Sequence, residues 1–216
     1  MPPDFRTLAR ADDAPLDALA LALVAELREV DAAGALAELD RLGAALGELP
    51  LGSPLDQAHS LRTLLAEVEG FAGDQSEYDD PANSMLDLVL ERRRGLPILL
   101  TTVYVEAARR AGVAVSGVGL PGHFLAGIFA GETTLLLDPF SGGRLVVPDV
   151  EPEAIRPWGA RETALRILSN LVGSYTRRAD VARAITAAEL RLALPLDGRT
   201  QAAFEIELRS LRARLN

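Results

Sequence analysis

The residues of this chain best suited to chemistry lie in the stretch GLPGHFLAGIFAGETTLLLDPF (119–140). His123 is one of two histidines in the chain, and Asp138 follows fifteen residues later. An imidazole held by a carboxylate is a general base, because the carboxylate fixes the ring tautomer and raises its basicity, as acyl-transfer sites require. If a two-residue turn falls at Gly131-Glu132, His123 faces Phe140 and Asp138 faces Leu125 across a hairpin. Alternation then puts His123 and Leu125 on one face. Asp138 becomes a diagonal neighbour of His123 on that face, with Cβ atoms roughly 7–8 Å apart. A slip of one residue would send the pair to opposite faces. The same two residues also fit a structural part, His123 opening a strand behind Pro121-Gly122 and Asp138-Pro139 opening a turn.

The elements that must position this pair follow from periodicity. The first ninety residues carry apolar side chains at helical spacing, as in LDALALALVAELREV (16–30) and LAELDRLGAAL (36–46). Gly34, the 50–54 segment and the FAGD turn (71–74) are expected to interrupt them, and Ser53 with Pro54 predicts a new helix start. Asn83 or Ser84 can cap a further helix ending at Arg94, with Asp87 in its first turn and Gly95 as its stop. The segment LPILLTTVYVEAARRAG (96–112) has almost no polar face before Glu106 and predicts a buried central helix with Pro97 in its first turn. From residue 113 the period changes to short β-branched and apolar runs (VAVSGVGL, HFLAGIFA, TTLLLD, RLVV), which predict four strands in meander order. Three helical segments close the chain from residue 159, and Trp158 is expected to anchor them. The fold class is thus α+β. It is divided into an N-terminal helical region (1–75), a helix-and-sheet core (76–158) and a helical tail (159–216), the three forming one compact unit.

Composition narrows the chemistry. The chain has 216 residues, 49% hydrophobic and 25% charged, the balance of an ordinary globular protein, with a net charge of −9 that argues against nucleic-acid and anionic-membrane partners. All 22 basic residues are arginine, and cysteine is absent. Schiff-base and thiol chemistry, thiolate metal sites and disulfides are therefore excluded. No cofactor or metal is expected, since two histidines without cysteine would need carboxylates that no spacing marks. The start MPPDFRTLARADDAP lacks a basic segment followed by an apolar core, and no apolar run is long enough to span a bilayer, which predicts a cytoplasmic protein.

A helix opening GLP, followed by strands carrying GLPGHF and LLLDPFSGG, resembles the transglutaminase-like superfamily of papain-type folds. YDDPANSMLDLVLERRRGLPILLTTVYVEAARRAGV and the tail RILSNLVGSYTRR bring it nearer the bacterial SirB-type branch, with a repeat-like, tetratricopeptide-like helical tail. The resemblance implies a nucleophilic cysteine at the N-terminus of the central helix, a histidine on the next strand and an aspartate on the one after. His123 and Asp138 match the latter two. In cysteine-bearing relatives the helix starts Gly-x-Cys and ends about eighteen positions later at a glycine. Gly95 to Gly112 spans eighteen positions here, and the cysteine place falls on Pro97. Proline has no nucleophilic atom and no N–H to offer a thiolate or an oxyanion.

Two functions of different class remain. One is a non-catalytic transglutaminase-like module that binds a protein or peptide partner, with the degenerate cleft at His123 and Asp138 and with Tyr78, Asn83 and Phe140 as candidate binding residues. The other is an amide or ester hydrolase in which the dyad uses water or a hydroxyl nucleophile. Thr101 and Thr102 lie a turn or more deeper along the helix than Pro97 and are expected to bond the carbonyls four residues back. His59 is expected on a surface, and Arg92 to Arg94 at the cationic end of a helix.

Overall fold

The computed structural model describes residues 4–215. Helix α1 (Phe5–Arg10) starts where the Asp4 side chain accepts from the Thr7 N–H at 2.8 Å, and α2 (Leu16–Ala25) follows. Helix α3 (Ala32–Gly47) begins two residues before Gly34, because Asp31 caps it by accepting from the Gly34 N–H at 2.9 Å. Gly34 therefore sits inside the first turn and does not break the helix, contrary to the expectation from its type. The buried stripe Ala35, Leu39, Leu42, Gly43 and Leu46 then faces inward at the spacing of one helix face. Helix α4 (Pro54–Leu61) opens on a reciprocal cap between Ser53 and Asp56, with Pro54 in its first turn, and continues as a wider π-helical turn over Arg62–Val68.

A two-residue parallel pairing joins β1 (Ala72–Gly73) to β2 (Arg94–Gly95). Asn83 and Ser84 do not cap the next helix. They lie buried in a tight turn, Pro81–Ser84, that Asp80 caps, and α5 (Leu86–Arg92) starts without a side-chain cap. Its stop is also displaced: Arg93, at φ 57, takes the left-handed conformation expected of Gly95. Arg93 lies over the Phe71 ring at 4.6 Å and ion-pairs with Glu38 and with Glu69. These tertiary contacts offset the modest cost of αL for a residue with a Cβ.

Helix α6 (Pro97–Arg110) is the axis of the molecule, with eleven of its residues buried. It packs against α3, against α5 and against a four-stranded antiparallel sheet in meander order, β3 (Val115–Leu120), β4 (His123–Ala130), β5 (Thr133–Asp138) and β6 (Arg144–Val146). Gly43 of α3 permits that close approach, since a Cβ there would fall 2.3 Å from the Arg110 Cβ. The β4–β5 register pairs Ala130 with Thr133 and Ala126 with Leu137 around Gly131, which is at φ 60. This is the register that the two-residue turn predicts. The buried polar residues of α6 are paired: Glu106 meets Arg109 at 2.8 Å and Arg110 at 2.7 Å, and Arg110 also reaches Asp17 at 2.7 Å. Burial, reinforced by the nearby Asp17 charge, pushes the Glu106 carboxyl up.

Three helices follow, α7 (Ala160–Arg177), α8 (Val181–Arg191) and α9 (Gly198–Ala213), each packed on the one before it. Trp158, just before them, packs against the main core. Its backbone N–H donates to the Gly117 carbonyl at 2.8 Å, and its ring lies against Gly119 and edge-on to Phe124 at 5.4 Å, so it also closes the free edge of β3. No helix among the described residues is long and apolar enough to cross a membrane.

Candidate functional site

His123 is the first residue of β4, turned in by Gly122 at φ 71, and Asp138 is the last residue of β5. Pleat alternation puts His123 with Leu125 and Asp138 with Leu136. Leu125 and Leu136 meet in one small apolar cluster, so the two candidate side chains share a face. His123 Nε2 lies 3.0 Å from Asp138 Oδ2. Asp138 is buried, and its Oδ1 accepts from the Ser141 N–H at 3.2 Å, which also caps the turn Pro139–Ser141. The aspartate therefore does both jobs its sequence position allowed, holding the imidazole and opening a turn. With Nε2 committed to the carboxylate, Nδ1 is the ring nitrogen left for other partners.

Pro97 occupies the first position of α6 and is buried. It shares a small pocket with His123, Tyr78, Ile98 and Phe124, closed on the far side by Arg166 and Asn170 of α7. The pocket offers about 30 Å³ of room to water, which is space for roughly two water molecules. The helix start supplies little to stabilise an oxyanion. The Leu99 and Leu100 N–H groups both donate to the Leu96 carbonyl at 3.1 Å, leaving the Ile98 N–H as the first-turn donor without a partner among the described residues. An oxyanion hole needs donors converging on one point.

The two threonine hydroxyls near the helix start are engaged. Thr102 donates to the Ile98 carbonyl at 2.8 Å, as its position on the helix predicts. Thr101 departs from that expectation by donating across to the Phe124 carbonyl of β4 at 3.3 Å, tying the helix to the strand that carries the histidine. The Tyr104 hydroxyl is fully buried, and burial pushes the phenol up and keeps it neutral.

The candidate binding residues separate by exposure. Tyr78 is about half exposed (47%) and meets Phe140 edge-on at 6.0 Å, while Phe140 fills the space above Gly73, where a Cβ would fall 2.4 Å from its ring. Asn83 is completely buried. Its Nδ2 donates to the Glu77 carbonyl at 2.8 Å and to Asp74 Oδ2 at 3.2 Å. Hydrogen bonds led by the Glu77 amide hold the Asp74 carboxyl below the usual carboxylate range. Asn83 thus fastens the loop that carries Tyr78. His59 is exposed, as expected, and lines a groove with Leu55, Arg62 and Leu145. Arg92 bridges Asp74 and Asp80 at 3.4 and 3.3 Å, and Arg94 donates to the Gly70 carbonyl at 2.7 Å. Among the described residues, no three His, Asp or Glu side chains group as a metal site would require. Arg166 and Asn170 escaped the sequence reading. Their signal is a polar pair four residues apart, directly flanking the buried stripe Ala164, Ile167, Leu168 and Leu171 of α7.

The fold and site together define a class: a buried helix whose N-terminus meets a histidine and an aspartate carried on consecutive antiparallel strands. A sequence model of the Transglutaminase-like superfamily matches residues 21–170, and the chain belongs to that superfamily. Curated relatives include a UPF0162 protein of Xylella fastidiosa, 42% identical over 104 residues, covering 48% of this chain and 37% of that protein. A UPF0162 protein of Pseudomonas aeruginosa is 35% identical over 151 residues, covering 68% of this chain and 52% of that one. Human F-box only protein 21 is 36% identical over 70 residues, or 32% of this chain and 11% of its own. The matches thus span about a third to a half of the UPF0162 relatives' length. No solved structure gives a significant match.

Proposed function

We propose that the protein is a non-catalytic transglutaminase-like module of the SirB-type branch, cytoplasmic, that binds a protein or peptide partner through the cleft around His123 and Asp138. In this reading, residues 76–158 carry the cleft and the helices from 159 onward form a repeat-like tail that shapes its far wall. One observation carries the proposal. Pro97, which the resemblance puts at the nucleophile position, is buried at the start of α6, and the pocket it shares with His123 has about 30 Å³ of room, lined by Tyr78, Phe124 and α7. Hydrolysis would need the scissile carbonyl, its leaving group and an attacking water or hydroxyl side by side at the imidazole, more than that room holds. The His123–Asp138 pair then serves to order the start of β4 and the end of β5 around the cleft.

Activity of the purified chain tests this against the hydrolase reading. Amide and ester substrates should show no turnover above the uncatalysed rate, with His123→Ala indistinguishable from the parent. Turnover that disappears in His123→Ala, with the melting profile unchanged, would establish the dyad as a catalyst and overturn the proposal.

A further inference from the structure

Arg166 carries an electrostatic anomaly. Fourteen of the 22 arginines ion-pair with a carboxylate among the described residues. Of the others, Arg6, Arg10, Arg94, Arg144, Arg199, Arg209 and Arg214 are exposed and solvated. Arg166 alone is half-buried, and it neither ion-pairs nor hydrogen-bonds among the described residues, in a chain of net charge −9 with carboxylates in excess. Desolvating a guanidinium without a counter-charge is costly, and the cost is recovered when an anion arrives. Asn170, one turn on, is also half-buried and makes no hydrogen bond among the described residues. Both line the pocket at Pro97, into which His123 also faces.

We propose that Arg166, Asn170 and His123 form a receptor for a single carboxylate of a partner polypeptide. The inference rests on the binding-module reading and names the chemistry that module would recognise. A planar guanidinium fork pairs with the two oxygens of a carboxylate. Asn170 Nδ2 supplies a further donor, and Ile98, whose N–H has no partner among the described residues, also lines the pocket. Size favours a carboxylate over a phosphoryl group. About 30 Å³ of room takes roughly two water-sized atoms, which matches two oxygens and not three or four. The remaining walls, Tyr78, Ile98 and Phe124, suit the aliphatic carbons that carry such a group.

The test is a titration of the full, ¹⁵N-labelled chain with sodium acetate at constant ionic strength, read at the Arg166 Nε–H and the Asn170 side-chain amide. Saturable shifts at both, with a dissociation constant in the millimolar range, are expected. They should weaken at least tenfold in Arg166→Gln and in Asn170→Leu while the rest of each spectrum stays folded. If one variant fails to fold, the other decides. Saturation by inorganic phosphate but not by acetate, linear shifts without saturation, or acetate binding unchanged in the variants would each overturn the proposal. Two peptides then identify the source of the carboxylate. Acetyl-Ala-Leu-Ala with a free C-terminus presents a terminal one, and acetyl-Ala-Glu-Ala-amide a side-chain one. The tighter binder assigns it, and neither binding better than acetate overturns the polypeptide assignment. Acetate binding does not depend on catalysis. Turnover lost in His123→Ala would end the non-catalytic reading and leave this site standing, whereas absence of acetate binding would end the site alone.

Discussion

Replacing Pro97 by cysteine asks whether this position faces the imidazole as the nucleophile of a cysteine–histidine–aspartate site would. The chain contains no cysteine, so the introduced thiol is a unique reporter. Losing proline at the first helical position should cost only about 0.4–1 kcal/mol, chiefly through the unfolded chain, and the side chain that replaces it is no larger. Three influences act on the thiol. Burial beside Ile98 and Phe124 raises its pKa; the helix N-terminus and the His123 imidazole with Arg166 behind it lower it. Helix termini and paired histidines bring cysteine thiols from about 8.5 to 7 or below elsewhere, so the lowering should win. A shift of about 1.5 units raises the thiolate fraction at pH 7 roughly fifteenfold, but intrinsic nucleophilicity falls with pKa, leaving a net gain of only a few-fold in rate. The midpoint of the pH–rate profile for iodoacetamide alkylation is therefore the better readout. It should lie near or below about 7 and move up by about a unit or more when His123→Ala is added. A midpoint at or above about 8.5 that ignores His123 would refute the placement of Pro97 at the nucleophile position.

Asn83→Ala should cost about 1–3 kcal/mol, since it removes the donor to the Glu77 carbonyl and to Asp74 inside a fully buried turn. Urea unfolding measures this, and a change below about 0.5 kcal/mol would show that the Tyr78 loop is held by other contacts. Acid should dismantle the Glu38–Arg41–Glu69–Arg93 network. The Arg41 hydrogen bond, aided by Arg93, holds the Glu38 carboxyl down at about 2 against 4.5 for the free group. The unfolded chain thus takes up the proton first, so this contribution is complete above about pH 4.5 and is lost as the pH falls toward 2. Discounted for the exposure of Arg41, it is worth about 1–2 kcal/mol. The stability difference between the parent and Glu38→Gln should shrink across that window, and a difference independent of pH would remove the network from the account.

Much of the architecture was legible because it is written in short-range patterns. The buried helix at 97–110 shows as an apolar segment without a polar face, and the four strands show as a change of period. The placement of His123 beside Asp138 follows from one turn and the pleat, since a two-residue loop fixes every pairing in its hairpin. The residue at the position to which the resemblance assigns a nucleophile is equally local: counting from Gly95 to Gly112 puts Pro97 there. Caps were less legible. Asn83 and Ser84 carry good capping side chains, yet the chain buries both; Asn83 fastens the Tyr78 loop, and that use depends on Asp74 and Glu77 arriving from outside the helix.

The tertiary structure alone decided what the cleft is. Nothing local in HFLAG or GLPIL says that Tyr78, from a loop before α5, and Arg166 and Asn170 of α7, more than forty residues after His123, line the same pocket. Nor does the sequence say that Arg166 is the half-buried arginine without a carboxylate, because counter-charges are assigned by distances between segments far apart in the chain. Residue type and spacing determine which face of an element a side chain occupies. Which other elements share that face, and how much room they leave, is set by packing, which no single segment encodes.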